Sequence, residues 1–151
     1  MTRARLPSAA FAGSADDTEA AFYDAMQHGD VEAMMACWAD EDDIVCVHPD
    51  GPRLAGGPAI RAAYEALFAA GPVRVSAHRL RRIESLTCVV HGVVERIEVL
   101  TDQGPRAARI LATNVYHKTA QGWRLVVHHT SVDRVGHGDA PEVPGRPPTL
   151  H

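Results

Sequence analysis

Four long β-rich segments fill the second half of the chain, and three helical patterns precede them. The segments cover residues 73–83, 86–100, 106–118 and 123–135, with short turn sequences between them. Short connections between long strands predict antiparallel hairpins, because a parallel pair needs a crossover of a dozen or more residues. Helices first and a meander last therefore predict an α+β domain.

The helical patterns have identifiable ends. Ser14, followed three residues later by Asp17, resembles a capping box that starts the first helix. Gly29 ends that helix, since glycine takes the left-handed conformation at low cost, and Asp30 caps a second, short helix. The third helix carries its apolar face from Ile60 to Phe68 and stops before a Gly-Pro pair.

Composition excludes several classes of protein. The 151 residues have a net charge of −4, which argues against a nucleic-acid-binding surface. No window approaches the roughly 20 apolar residues of a membrane span, and the first residues lack the apolar core of a secretory signal. The three cysteines have no CxxC spacing, which predicts free thiols rather than a disulfide framework or a zinc site. These features predict a cytoplasmic protein.

The chain divides into three parts by composition. Residues 1–13 are predicted to form a flexible arm, residues 14–135 a single domain, and residues 136–151 a tail rich in proline and glycine. A short β-rich strand at 44–48 is expected between the second and third helices, ahead of a proline-glycine turn.

A set of short motifs occurs in an order typical of one superfamily. They are Gly29-Asp30, Trp38-Ala39-Asp40, Val45 to Pro49, Leu54-Ala55-Gly56, Thr113 to Tyr116, Gly122 to Leu125 and His128 to Ser131. In this order the chain resembles the nuclear-transport-factor-2-like superfamily, in its SnoaL-like and ketosteroid-isomerase-like branch. The resemblance implies three N-terminal helices packed on a strongly curved antiparallel sheet, which together enclose a conical pocket (a cystatin-like roll).

The resemblance also locates a possible active site. Ketosteroid isomerases carry an aspartate base before a proline on the first strand, where this chain has His48. Their oxyanion hole combines a tyrosine on the first helix with a protonated acid on a later strand. These positions fall on Phe22, with Tyr23 beside it, and near Ile110, where no carboxylate is close in sequence. Steroid isomerisation of that type is therefore not expected. The aspartate pair of limonene-epoxide-hydrolase-like members is also missing.

Two adjacent histidines on the last strand face opposite sides of the sheet, because side chains alternate along a strand. If the face of Trp123 is the concave one, His129 points into the pocket and His128 points away, whereas a β-bulge in this strand would reverse the two. We therefore predict His48 and His129 as catalytic residues, since imidazoles titrate near neutral pH. The predicted ligand-binding residues are Phe22, Trp38, Tyr64 and Asn114. Each of these residues also has a plain structural interpretation, as a core side chain or as a histidine or amide that holds the backbone.

Two hypotheses follow for function. The first is a SnoaL-like protein that binds a small apolar or carbonyl-bearing molecule, with histidine acid–base chemistry of an isomerase, cyclase or hydrolase type. The second is a non-catalytic homodimeric accessory module, paired through the outer face of the sheet. Neither hypothesis requires a metal or a cofactor, because the histidines lack the HxxxH or HExxH spacing of a zinc site.

Overall fold

The structure is a computed structural model that describes residues 13–134. The predicted arm (residues 1–13) lies outside this range except for Gly13. The predicted tail (residues 136–151) and residue 135, the predicted end of the domain, lie outside it too.

Three helices begin the described chain. They are α1 (Ala15–His28), α2 (Val31–Ala36) and α3 (Gly57–Ala69). The predicted caps are present: the Ser14 side chain accepts a hydrogen bond from the Asp17 amide, and Asp30 accepts one from the Ala33 amide. Gly29 follows α1 with a φ of 63°, a left-handed conformation that turns the chain directly into α2.

Six strands form one sheet. They are β1 (Val45–Val47), β2 (Arg53–Ala55), β3 (Val75–Glu84), β4 (Cys88–Thr101), β5 (Gly104–Thr119) and β6 (Gly122–Val132). Their order across the sheet is β2-β1-β6-β5-β4-β3. The α+β class and the packing of three helices on a curled sheet are thus confirmed.

The sheet is mixed, which corrects the prediction of a purely antiparallel one. β1 runs parallel to β6, with Cys46 opposite His128 and Val47 opposite His129. The long segment between β1 and β6, which includes α3 and four strands, supplies the connection that a parallel pair needs. β2 was not predicted, because its three residues follow a turn too closely to carry a strand pattern.

A β-bulge interrupts β6. Val115 of β5 pairs with Val127 and the next residue, Tyr116, pairs with Leu125, so Val126 is an extra residue in β6. An extra residue in one strand reverses the alternation of side chains beyond it. Leu125 and Val126 are consequently both buried, and from there onwards His128 and Thr130 face the interior.

The core lies between the helices and the inner face of the sheet. Its largest fully buried apolar side chains include Phe22 from α1, Met34 from α2, and Ile60 and Tyr64 from α3. Within residues 13–134, no helix has the length and apolarity needed to cross a membrane.

Candidate functional site

A group of buried polar side chains occupies the centre of the fold, between α1 and the inner face of β4, β5 and β6. We call this group the interior network. Its members are Glu19, Tyr23, His91, Glu95, Asn114, Tyr116 and His128. Burying polar groups costs free energy unless each is hydrogen-bonded, so the bonds within the network decide its chemistry.

Glu19 of α1 is the acceptor at one end of the network. Its Oε2 atom accepts hydrogen bonds from the Tyr116 hydroxyl at 2.6 Å, from His91 Nδ1 at 2.8 Å and from Asn114 Nδ2 at 3.3 Å. Its Oε1 atom accepts two from the Arg79 guanidinium, at 3.0 and 3.1 Å. Burial by itself would raise the pKa of Glu19, but the bonds from His91, Tyr116 and Asn114 lower it to about 2. Glu19 is therefore a carboxylate at neutral pH.

Glu95 of β4 lies at the other end of the network. Its Oε2 atom accepts a hydrogen bond of 2.7 Å from the Tyr23 hydroxyl, and Tyr23 in turn accepts one of 3.1 Å from Asn114 Nδ2. Burial raises the pKa of Glu95 to about 7, and the charge of Glu19 acts in the same direction, while the bond from Tyr23 opposes it. A carboxyl group that titrates near neutral pH can both donate and accept a proton.

His128 lies next to Glu95. Its Nδ1 atom is 2.6 Å from the Asn114 carbonyl oxygen, and its Nε2 atom is 3.8 Å from Glu95 Oε2. Burial lowers the pKa of His128 to about 3, and His48 lowers it further by charge repulsion. A neutral imidazole does not form an ion pair, so we interpret the contact with Glu95 as one between a ring nitrogen and a carboxyl group.

The structure corrects the predicted orientation of the two adjacent histidines. His128 is 1% exposed and belongs to the interior network, whereas His129 is exposed on the outer face. The bulge at Val126 is the physical reason, because it reverses the alternation that starts at Trp123. The interior position that we assigned to His129 is thus occupied by His128.

The predicted base position, His48, is half-buried just beyond β1. Its Nε2 atom is 3.6 Å from the Cys46 sulfur, and its ring packs edge-on against Tyr64 with the ring centroids 5.1 Å apart. The His48 and His128 rings are 6.3 Å apart. Burial lowers the pKa of His48, so its ring favours the neutral form, which can accept a proton.

The four predicted ligand-binding residues lie in different environments. Asn114 is fully buried in the network, where both ends of its amide are bonded. Phe22 packs against the His128 ring, with the ring centroids 4.8 Å apart, and Tyr64 lies in the core beside His48. Trp38 is buried beside β6, and its indole N–H has no hydrogen-bond partner among residues 13–134.

Neither Glu19 nor Glu95 is among the site residues predicted from the sequence. The position of the oxyanion-hole acid that the resemblance implies falls near Ile110, where no carboxylate is close in sequence. In the sheet, however, Glu95 of β4 pairs directly with Ile110 of β5. A buried carboxyl therefore lies on the strand beside that position, where it accepts a hydrogen bond from Tyr23 of the first helix. The sequence did carry one signal of a buried functional group, namely the charged residue Glu95 among the valines of β4.

A cleft of about 430 Å³ lies next to the network, between α1 and β3. Glu19 and Tyr23 line it from α1, and Ala77 and Arg79 line it from β3. Ala77 is the register partner of Glu95, so the two side chains leave the same face of the sheet on neighbouring strands, and Tyr23, which lines the cleft, is hydrogen-bonded to Glu95. The conical pocket between the helices and the sheet stays a prediction.

No metal site is formed within the described range: no three His, Cys, Asp or Glu side chains in residues 13–134 converge as ligands.

These features define a SnoaL-like fold with a buried acid–base network. The family model for the SnoaL-like domain matches residues 16–134, and the chain belongs to this family. No curated protein matches the chain.

Solved structures extend the comparison. A protein from Thiobacillus denitrificans, named a "putative calcium/calmodulin-dependent protein kinase type II association domain", is 37% identical, with a TM-score of 0.72 over 79% of this chain and 94% of its own. A "putative dehydratase from the NTF2-like family" from Streptomyces avermitilis is 26% identical, with a TM-score of 0.67 over 76% and 91%. A ketosteroid isomerase-like protein from Erwinia carotovora shares the fold at 17% identity, with a TM-score of 0.68 over 78% and 92%.

Proposed function

We propose that this protein binds a small carbonyl-bearing molecule in the cleft between α1 and β3 and transfers a proton to or from it, with Glu95 as the acid–base group. The observation that carries the proposal is the Glu95 carboxyl itself, which is 2% exposed, titrates near pH 7 and is bonded to a tyrosine that lines the cleft. Pairs of buried titratable groups with displaced pKa values are typical of active sites.

The other groups around the cleft suit this chemistry. The Tyr23 hydroxyl, which lines the cleft, would take a proton from the carbon next to the carbonyl as it passes its own proton to the ionised Glu95, and the electron pair of the broken C–H bond would move to the carbonyl oxygen. Arg79 lines the cleft with a side chain that is 31% exposed, and its positive charge would stabilise the negative oxygen. Return of the proton to another carbon completes an isomerisation. A dehydration is completed when the electron pair returns from the oxygen to form a carbon–carbon double bond and the hydroxyl of the next carbon leaves as water with the proton held by Glu95. The polar lining favours a polar ligand over a purely apolar one.

The reaction can be tested without knowing the natural substrate. A panel of small cyclic and open-chain ketones in D₂O is followed by NMR for deuterium exchange at the carbon next to the carbonyl. We expect the wild-type protein to accelerate exchange in at least one ketone, with a rate that rises with pH through about 7 as Glu95 ionises. Glu95→Gln should lower the rate by about 100-fold, the lower end of what general acid–base groups contribute.

A second variant separates the two candidate bases. His48 lies near the opposite edge of the sheet, next to β1, and we retain it as the alternative base. If His48→Ala abolishes exchange while Glu95→Gln retains it, His48 is the base and the assignment of Glu95 is wrong. If no ketone in the panel exchanges faster with protein than without it, the proposed proton transfer is contradicted.

We also propose, as a second candidate function, that the outer face of the sheet pairs two copies of the chain. Ile83 of β3 and Leu111 of β5 have side chains on this face and are 69% and 42% exposed. The half-buried Val90 of β4 pairs with Ile83, and the half-buried Val115 of β5 pairs with Val90. Exposed apolar side chains grouped on one face are typical of association surfaces. The similar structure from Thiobacillus denitrificans is named an association domain, which favours the same interpretation.

Sedimentation velocity at micromolar concentration tests this pairing. We expect a dimer, and we expect Ile83→Lys to raise the dissociation constant of this dimer by about ten-fold or more. Leu67→Lys is a matched control, because Leu67 is an exposed apolar residue on α3 rather than on the sheet. A wild-type monomer would defeat the proposal, as would equal weakening by both variants.

A further inference from the structure

We infer that Glu19 sets the tautomer of His128 through Asn114 and so aims the lone pair of His128 Nε2 at Glu95. Glu19 is a positioning residue in this arrangement, since it acts on the acid–base group through two other side chains. The inference rests on the proposed function for its catalytic meaning, but its geometry and its test stand without a substrate.

The first step concerns the orientation of the Asn114 amide. A carboxylate only accepts hydrogen bonds, so the group of Asn114 that faces Glu19 Oε2 at 3.3 Å must be the NH₂. The same NH₂ donates to the Tyr23 hydroxyl at 3.1 Å. With the amide held this way, its carbonyl oxygen faces His128. The reversed amide would place an oxygen against the Glu19 carboxylate.

The second step concerns the ring of His128. Its Nδ1 atom lies 2.6 Å from the Asn114 carbonyl oxygen, which can only accept, so Nδ1 must carry the proton. In a neutral imidazole the other nitrogen then has a free lone pair. That nitrogen, Nε2, is 3.8 Å from Glu95 Oε2, about 1 Å beyond hydrogen-bonding distance. A small movement lets the protonated Glu95 donate to Nε2.

The third step explains why the effect originates at Glu19. Arg79 donates twice to Oε1, which leaves Oε2 to face His91, Asn114 and Tyr116. A glutamine at this position would keep its oxygen on Arg79, because an NH₂ group there would face a guanidinium. The NH₂ group of this glutamine would then lie where Oε2 of Glu19 lies in the wild-type protein. Asn114 must in response turn its oxygen towards residue 19 and its NH₂ towards His128, which reverses the tautomer of His128.

The test is long-range ¹H–¹⁵N NMR of the histidine rings at pH 7.5, where protonated and bare ring nitrogens have well-separated shifts. We expect the Nδ1–H form of His128 in the wild-type protein and the Nε2–H form in Glu19→Gln. Tyr116→Phe is the matched control, since it removes another buried bond to Glu19 Oε2 but leaves Asn114 in place. We expect it to keep the Nδ1–H form.

Three outcomes would overturn the inference. They are an Nε2–H tautomer in the wild-type protein, an unchanged tautomer in Glu19→Gln, and a reversal in Tyr116→Phe equal to that in Glu19→Gln. An Nε2–H form of His128 in the wild-type spectrum would overturn the inference by itself, so the test remains possible even if Glu19→Gln fails to fold. The measurement uses no ketone, so a failure of deuterium exchange together with the expected tautomers would reject the proposed function and leave this inference standing.

Discussion

Replacing Glu19 with leucine should lower the free energy of unfolding by about 3–5 kcal/mol, the usual cost of removing one partner from a buried charged pair. The loss has two sources. Arg79 loses both of its bonds to Glu19 Oε1, and three buried donors, on His91, Asn114 and Tyr116, lose their common acceptor. Leucine is close in size to glutamate, so the loss is electrostatic rather than a packing defect.

Urea denaturation at pH 7, followed by circular dichroism, measures the change. Glu65→Leu is the control, because Glu65 is an exposed carboxylate that also pairs with an arginine, Arg61. Exposed pairs contribute little, so its loss should be much smaller. The folded pKa of Glu19 lies below the ordinary value, so its contribution is present above pH 4.5 and disappears as the pH falls towards 2. A loss from Glu19→Leu no larger than that from the control would contradict the buried pairing.

Replacing Glu95 with glutamine should have the opposite effect and stabilise the fold by about 3 kcal/mol at pH 8, because one pKa unit corresponds to about 1.4 kcal/mol. The folded pKa of Glu95 is raised from 4.5 to about 7. The folded protein therefore favours the protonated carboxyl, and wild-type stability falls as the pH rises from 4.5 to 7. Glutamine is always neutral and can still accept the hydrogen bond from Tyr23.

The measurement is the difference in unfolding free energy between wild type and Glu95→Gln at a series of pH values from 4 to 8. We expect no difference near pH 4 and a gap that opens between pH 4.5 and 7. The titration of His128 affects both chains, so it largely cancels in the difference. Glu98→Gln is the control for the loss of one negative charge, because Glu98 is an exposed residue on the same strand. A Glu95→Gln chain that is less stable than wild type at pH 8 would rule out a buried, disfavoured carboxylate. A Glu95→Gln variant that is more stable than wild type and no longer catalyses exchange would show that the group needed for activity destabilises the fold.

Local signals in the sequence predicted most of the fold. Ser14, Gly29 and Asp30 act as caps and stops at the predicted ends of α1 and α2, because capping depends on the backbone within three or four residues. The four long strands were likewise predicted from their own composition. The parallel pairing of β1 with β6 was not, since it joins segments that are about 80 residues apart in the chain and no local pattern specifies it.

The site was less predictable, because it depends on register between strands. Asn114 and His48 were predicted from their positions in the chain, and both lie at or beside the network. Glu95 becomes a candidate only from the pairing of β4 with β5, which places it opposite Ile110. Glu19 looked like an ordinary helix acid in the sequence, and its role depends on Arg79 and Tyr116, which come from two separate strands.

The extra residue at Val126 has a consequence for comparing relatives. Deletion of Val126 would remove the bulge without moving either histidine, because Leu125 would still pair with Tyr116 and Val127 with Val115. Two related chains could then differ by one residue in the count from the last turn to the His-His pair and yet place the same histidine beside the acid. For this family, the interior histidine of the last strand is identified by its partner on the neighbouring strand and not by its distance from the turn.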